Sequence, residues 1–238
     1  MKWILQGLWI VFLAGCNQPV AEKEPEEMPH GAAAVQVALP DTIPGESHKA
    51  ALPDYDTTQW TELIALAPDI ILDLKYATED NFVQSKMYDC GRCFLRPKVA
   101  QALVRVQQTL RKQDLGLKMF DCYRPRPIQW KLWEKVPDPR YVTDPRKGSM
   151  HNRGAAVDLG LVDLAGNELD MGAPFDFFGQ RAYQTYTDLP DSILQRRRVL
   201  RSTMEAQGFH AIRTEWWHYS FNGGFELSDM VWKCETAR

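Results

Sequence analysis

Ser149-Met150-His151-Asn152-Arg153-Gly154-Ala155-Ala156-Val157-Asp158 and, further along, Glu215-Trp216-Trp217-His218-Tyr219 are the two stretches on which the reading of this chain turns. The chain has five histidines: His30 and His48 lie near the N-terminus, His151 and His218 fall in these two stretches, and His210 is the fifth. His151, Asp158 and His218 together supply two imidazoles and one carboxylate. That donor set suits a catalytic zinc ion, which takes three protein ligands and leaves a fourth position for water. Bound there, water has its pKa lowered from 15.7 toward about 7. A carboxylate must then relay the proton, and Glu215, three residues from His218, is the candidate. Residues three apart share a face in a helix but point oppositely in a flat strand. The two tryptophans favour a strand, so Glu215 needs twist, a bulge or a strand end to reach a metal beside His218. Taken singly, each stretch is better explained by the plainer reading of core histidines with a capping aspartate.

Outward from these stretches, the chain alternates short strand and helix signals. Ile70–Leu74 reads as a strand, β-rich and short. Pro97 suits the first turn of a helix; Val99, Leu103, Val106 and Leu110 follow helical spacing, and Gly116 closes the segment. Leu117–Cys122 reads as a strand that ends at a turn, Arg124-Pro125-Arg126-Pro127. A second helix is expected from Asp191, with Ile193, Leu200 and Met204 inward, ending before Gly208; its Arg196, Arg197, Arg198 and Arg201 read as a solvated or salt-bridged face. Phe209–Ile212 and Trp216–Phe221 are strand candidates. This irregular interleaving without internal repeats predicts an α+β fold, a mainly antiparallel sheet with flanking helices.

The 238 residues suit one domain or two small ones. They are 45% hydrophobic and 25% charged, with a net charge of -3 and a pI of about 6.0. A nucleic-acid partner is not expected, since such domains are usually basic. No stretch has the roughly 20 consecutive apolar residues of a membrane span. Lys2, the apolar Trp3–Ala14 and Leu13-Ala14-Gly15-Cys16 instead read as an export signal, residues 1–15, that ends in a lipoprotein-type box. Cys16 is then the lipidated residue, and several acyl chains there would anchor the protein stably to a membrane. Residues 16–54 follow as the lipidated cysteine and a flexible linker. Positions 17–54 hold six prolines, seven acids against two lysines, and no aromatic residue, too little apolar surface to offset the entropy of ordering. The remaining 55–238 form the folded domain.

Cys90, Cys93, Cys122 and Cys234 lie within that domain. In an oxidising compartment at least two of them are expected in disulfides. Three full pairings are possible. Cys90 and Cys93 are also spaced as a redox motif or half a zinc site, but no second close pair completes one.

The Ser-x-His-x-x-Gly-x-Ala-x-Asp pattern with Glu-Trp-Trp-His-Tyr downstream resembles the VanX-type D-alanyl-D-alanine dipeptidases. These are zinc peptidases related in fold to D,D-carboxypeptidases and the hedgehog signalling domain. Three further blocks extend the resemblance: Leu74–Phe82, Phe120–Pro125 and Asp170–Asp176. It implies one zinc ion per chain, held by His151, Asp158 and His218, with Glu215 as general base and then acid. It also implies that Arg124 stabilises the oxyanion, that Asp121 orients Arg124, and that Tyr76, Ser149 and Asp176 line the dipeptide pocket, Asp176 facing the substrate ammonium. An arginine suits the oxyanion role because it is always charged and donates from a planar fork.

Two departures from cytoplasmic members bear on role, the export signal and the cysteines. The dipeptide used for wall synthesis is made inside the cell, so an exported, lipid-anchored enzyme points to turnover of wall-derived D-Ala-D-Ala in the periplasm. Asn17 after the lipidated cysteine leans toward the outer membrane where one exists. The alternatives are a D,D-carboxypeptidase acting on peptidoglycan stem peptides and a non-catalytic lipoprotein that binds wall peptides. Oligomeric state is left open.

Overall fold

A computed structural model describes residues 53–139 and 141–234. The signal, Cys16 and nearly all of the linker lie outside the described residues. Seven strands and four helices make up the domain: β1 Thr61–Glu62, α1 Leu63–Leu66, β2 Ile71–Leu72, β3 Phe94–Leu95, α2 Pro97–Arg111, β4 Leu115–Asp121, α3 Arg126–Lys135, β5 Ala156–Asp163, α4 Asp191–Ala206, β6 Phe209–Ala211 and β7 His218–Phe221. One sheet runs β2-β4-β5-β7-β6, and β1 pairs with β3 in a second. Among the described residues only β2 and β4 pair parallel; the other pairs are antiparallel. The expected α+β class and mainly antiparallel sheet are what the chain adopts.

The main core packs α2 and α4 against the sheet. Val99, Leu103, Val106 and Leu110 of α2 and Leu200 and Met204 of α4 meet Leu117 and Met119 of β4 and Val157, Leu159 and Leu161 of β5. All of these are fully buried. At about 1.5–3 kcal/mol for each large apolar side chain, this layer is the main driving force for closure.

Several expectations are corrected. The segment after α2 does not close at Gly116, which lies within β4; the turn is made by Asp114 in the left-handed region at φ 58°. Aspartate tolerates that conformation better than most residues. The stretch at Arg124–Pro127 is no simple turn but the start of α3, with Pro127 in its first turn, where its missing N–H costs nothing. Strand β5 carries no alternating pattern because seven of its eight residues are buried on both faces. The expected Trp216–Phe221 strand begins only at His218. Arg197 is buried rather than solvated: its guanidinium donates to the carbonyls of Met171, Tyr183 and Arg181 at 2.7, 3.1 and 2.8 Å, clamping the loop that precedes α4. Of its neighbours, Arg196 donates to the Asp170 carbonyl, while Arg201 pairs with Glu205 at the surface as expected.

Four cysteines form two disulfides, Cys90–Cys234 and Cys93–Cys122. The second joins the residue before β3 to the residue after β4.

Gly154 ends the short turn that carries His151, at φ 66°, and a Cβ there would overlap the indole of Trp60. Gly154→Ala is therefore expected to destabilise the domain by roughly 2–4 kcal/mol, from left-handed strain plus overpacking. Thermal unfolding should show a Tm lower by roughly 5–10 °C.

Candidate active site

Strand register assembles the site. Asp121 of β4 lies opposite Asp158 of β5, and Asp158 opposite His218 of β7. The three side chains thus stand abreast on three neighbouring strands. The β4–β5 ladder is irregular between Met119 and Asp121. Without that extra residue Phe120 would face Asp158, so the bulge brings a carboxylate to the site instead. His151 comes from the turn before β5.

His151 Nε2 lies 3.2 Å from His218 Nδ1 and 3.3 Å from Asp158 Oδ2, while His218 Nδ1 lies 2.9 Å from Asp158 Oδ1. A tetrahedral zinc with bonds of about 2.0–2.1 Å separates its ligand atoms by about 3.3 Å. The three donors are therefore already spaced for such an ion, and they are the group among the described residues that could hold one. The His151 Nδ1 lies 2.7 Å from the Cys122 carbonyl, so Nδ1 carries the proton and Nε2 presents its lone pair to the metal position. Burial opposes charge on Asp158, but the His151 and His218 partners overcome it and hold its carboxyl far below the usual range. A buried anion beside two imidazoles is what a divalent cation requires.

Glu215 precedes β7 in irregular backbone between two bends, outside the strand, which resolves how a residue three before His218 reaches the same place. Its Oε2 lies 3.9 Å from His218 Nδ1. The carboxylate is partly exposed toward the pocket, yet desolvation raises its pKa above the ordinary value, which suits a group that must take and return a proton.

Arg124 lines the same cavity as the three ligands. Asp121 Oδ2 accepts from Nε at 3.0 Å and from Nη2 at 2.5 Å, and Gln129 Oε1 accepts from Nη1 at 3.0 Å. Three of its five N–H groups are thereby committed, and one on each terminal nitrogen remains to donate. Its backbone is tied to the His151 turn: Arg124 N donates to His151 O, and Asn152 Nδ2 donates to Arg124 O at 2.7 Å. The guanidinium also lies over the Tyr76 ring, 4.9 Å from its centroid.

Tyr76, Ser149 and Asp176 all line the same cavity of about 360 Å³, together with Arg124, Trp217 and the three ligands. Tyr76 Oη donates to Asp176 Oδ2 at 3.0 Å. Asp176 sits at φ 58°, a conformation rare outside glycine, and this turn directs its carboxylate into the pocket. Burial, and then the charge of Asp158, push its pKa up to about 8 against the Tyr76 hydrogen bond. A ligand cation would supply the counter-charge that the carboxylate otherwise lacks. Ser149 gives its hydroxyl proton to Asn152 Oδ1 at 3.1 Å and accepts from Asn152 N at 3.3 Å, which leaves one lone pair for a ligand. Eight of the nine residues singled out within the domain by the sequence therefore line one pocket, and the ninth, Asp121, lies behind it, hydrogen-bonded to Arg124.

Sequence reading missed Tyr88, Gln129 and Asn152. Tyr88 Oη donates to Asp121 Oδ1 at 2.9 Å, Gln129 braces Arg124, and Asn152 joins Ser149 to the Arg124 backbone. Gln129 and Asn152 are fully buried polar side chains, but only the unrecognised helix α3 would have flagged the first.

Residues 56–232 match the Peptidase_M15 family model, described as D-ala-D-ala dipeptidase. Among curated proteins, the D-alanyl-D-alanine dipeptidase of Escherichia coli K12 is 39% identical over 164 residues, 69% of this chain and 85% of that one. The corresponding enzymes of Enterococcus faecium and Streptomyces coelicolor are each 33% identical, over 62% and 65% of this chain and 83% and 87% of theirs.

Purified protein reconstituted with zinc is expected to retain about one equivalent after dialysis. His151→Ala and His218→Ala should each weaken retention by more than the roughly 10–100-fold that loss of an outer-shell partner costs. Elemental analysis beside an unchanged far-UV spectrum checks this.

Proposed function

The chain belongs to the D-Ala-D-Ala dipeptidase family, and from that premise we infer that it hydrolyses D-alanyl-D-alanine to two molecules of D-alanine, with zinc as its cofactor. The observation that carries this reading is the convergence of a His/Asp/His triad, a flanking carboxylate, an anchored arginine and a second acid in one small pocket.

His151, Asp158 and His218 would hold the metal, which when bound would supply Lewis acidity and a low-pKa water. Arg124 donates its two uncommitted N–H groups to the scissile carbonyl, whose oxygen gains charge as water adds. A donor fixed in advance by Asp121 and Gln129 pays no reorganisation at that moment, and loss of one such donor typically costs about 10²–10³ in kcat. Glu215 takes the proton of the attacking water and returns it to the leaving amine as the C–N bond breaks. Asp176, hydrogen-bonded by Tyr76, receives the free ammonium of the substrate.

Asp176 favours the dipeptide over a stem peptide. An acylated amine carries no charge, so it leaves a desolvated acid without a counter-charge, which costs about 1–3 kcal/mol or more. Zinc-loaded wild type is expected to release D-alanine from D-Ala-D-Ala. Glu215→Gln should lose at least about 10²-fold of that activity while keeping its zinc. N-acetyl-D-Ala-D-Ala should be cleaved far more slowly than the free dipeptide; equal or faster cleavage would assign the enzyme to stem peptides.

Lys2, the apolar run to Ala14 and Leu13-Ala14-Gly15-Cys16 support an exported protein, lipid-anchored through Cys16 and turning over wall-derived dipeptide in the periplasm. In a Gram-negative host, wild type is expected in the membrane fraction with a lipidated Cys16 by mass spectrometry. Cys16→Ser should abolish that lipid and the processing that precedes it.

A further inference from the structure

The oxyanion arginine is held by a chain of contacts that runs to the C-terminal end of the described residues. Asp121 is fully buried and accepts from Arg124 on one oxygen and from Tyr88 on the other. Tyr88 is itself buried, with its phenol held neutral by burial and by the adjoining Asp121 charge. It is thus a committed donor that fixes the rotation of the carboxylate beneath Arg124. The backbone of Tyr88 is set as well: the amides of Met87 and Tyr88 both donate to the Tyr76 carbonyl, at 2.8 and 2.9 Å.

Behind Tyr88 lies a strap formed by residues 226–234. Trp232 packs on Tyr88, Phe94 and Tyr123, with centroids 5.2, 5.5 and 6.4 Å apart, and its Nε1 donates to the Cys90 carbonyl at 3.2 Å. Arg126, two residues after Arg124, makes a bidentate pair with Asp229, and Tyr123 Oη donates to the Met230 carbonyl. Cys234 closes the strap onto Cys90, two residues from Tyr88. Cys234 falls just beyond the family-matched residues 56–232.

We propose that Tyr88 is a positioning residue for the oxyanion arginine, acting through Asp121, and that the C-terminal strap latched by Cys90–Cys234 is what holds Tyr88 in place. This rests on the oxyanion role given to Arg124 above. A phenol that only filled space would be replaced by phenylalanine at little kinetic cost. A donor that aligns Asp121 affects the transition state, where charge reaches Arg124, more than the ground state.

The test uses the zinc-loaded protein and the variants Tyr88→Phe, Trp232→Ala, Cys90→Ser/Cys234→Ser and Tyr88→Phe/Trp232→Ala. It is run on whichever D,D-peptide wild type cleaves, so a wrong substrate assignment leaves it in force. Tyr88→Phe is expected to lower kcat by about tenfold with KM within twofold. Affinity for a phosphinate dipeptide analogue, which carries the tetrahedral oxyanion, should fall by the same factor, and affinity for the product D-alanine should not change. Trp232→Ala and the double serine variant should lower kcat in the same sense. The Tyr88→Phe/Trp232→Ala combination should cost less than the product of the two single effects, because both act along one path. The inference is overturned if Tyr88→Phe leaves kcat and phosphinate affinity within twofold of wild type, if it weakens phosphinate and D-alanine alike, or if the two substitutions multiply independently. Should Tyr88→Phe fail to fold, the strap variants decide: a selective loss of phosphinate affinity supports the inference, and an unselective one or none overturns it.

Discussion

Asp121, Asp158 and His218 stand side by side because β4, β5 and β7 pair in one register, and the rest of the site depends on that register. A slip of one residue would turn Asp158 to the opposite face and bring Val157 or Leu159 to the metal position. The pairing is defended from behind. Val157, Leu159 and Leu161 are locked into the core beneath α2 and α4, so the face that carries chemistry is specified by the face that carries none. The bulge at Phe120 is the one departure from a regular ladder, and it adds the carboxylate that the arginine requires.

The cost of this arrangement is charge taken out of water. Asp121, Arg124, His151 and Asp158 are all buried, and Asp176 and Glu215 border the same cavity. Buried charges are tolerated when each meets an opposite charge or enough hydrogen bonds. Arg124 neutralises Asp121, with Tyr88 and Gln129 completing the set. Asp158 is compensated by its two imidazoles, the set that a metal ion would share, whereas Asp176 has a phenol beside it and remains under-compensated, its pKa pushed up to about 8 by burial. A cationic substrate group would meet that deficit.

The site was more legible in the sequence than the fold around it. His151, Asp158, His218, Glu215, Arg124 and Asp121 are recognisable because their chemistry restricts residue type, and their spacing survives in short blocks. The elements that present them are harder to read. Strand β5 is buried on both faces and so lacks the period-2 signal of a half-exposed strand. Helix α3 hides behind two prolines that look like a turn yet fit its N-terminal end. Arg197 looked like part of a solvated row, because charge along a helix says nothing about which position faces a neighbouring loop rich in free carbonyls. Tyr88 had no signal at all, since a tyrosine that braces a carboxylate is indistinguishable in sequence from one that fills a core.

That last blindness has a general physical cause. Groups that touch the reacting atoms need particular donors and charges, whereas groups that hold them need only to be rigid and well placed. Here the holding is done by contacts far apart in the chain: Tyr88 to Asp121, Trp232 to Tyr88, Cys234 to Cys90, Arg197 to the loop that leads from Asp176 to α4. Long-range contacts of this kind lower the freedom of a catalytic side chain without being near the substrate, and well-oriented groups gain several kcal/mol of barrier reduction from that restriction. A small domain can also build such contacts covalently. In an oxidising compartment a disulfide is stable, so Cys90–Cys234 can fasten a terminal segment that would otherwise fray. With the strap fastened, Trp232 keeps a full aromatic face on Tyr88, and rigidity reaches Arg124 through a single buried carboxylate.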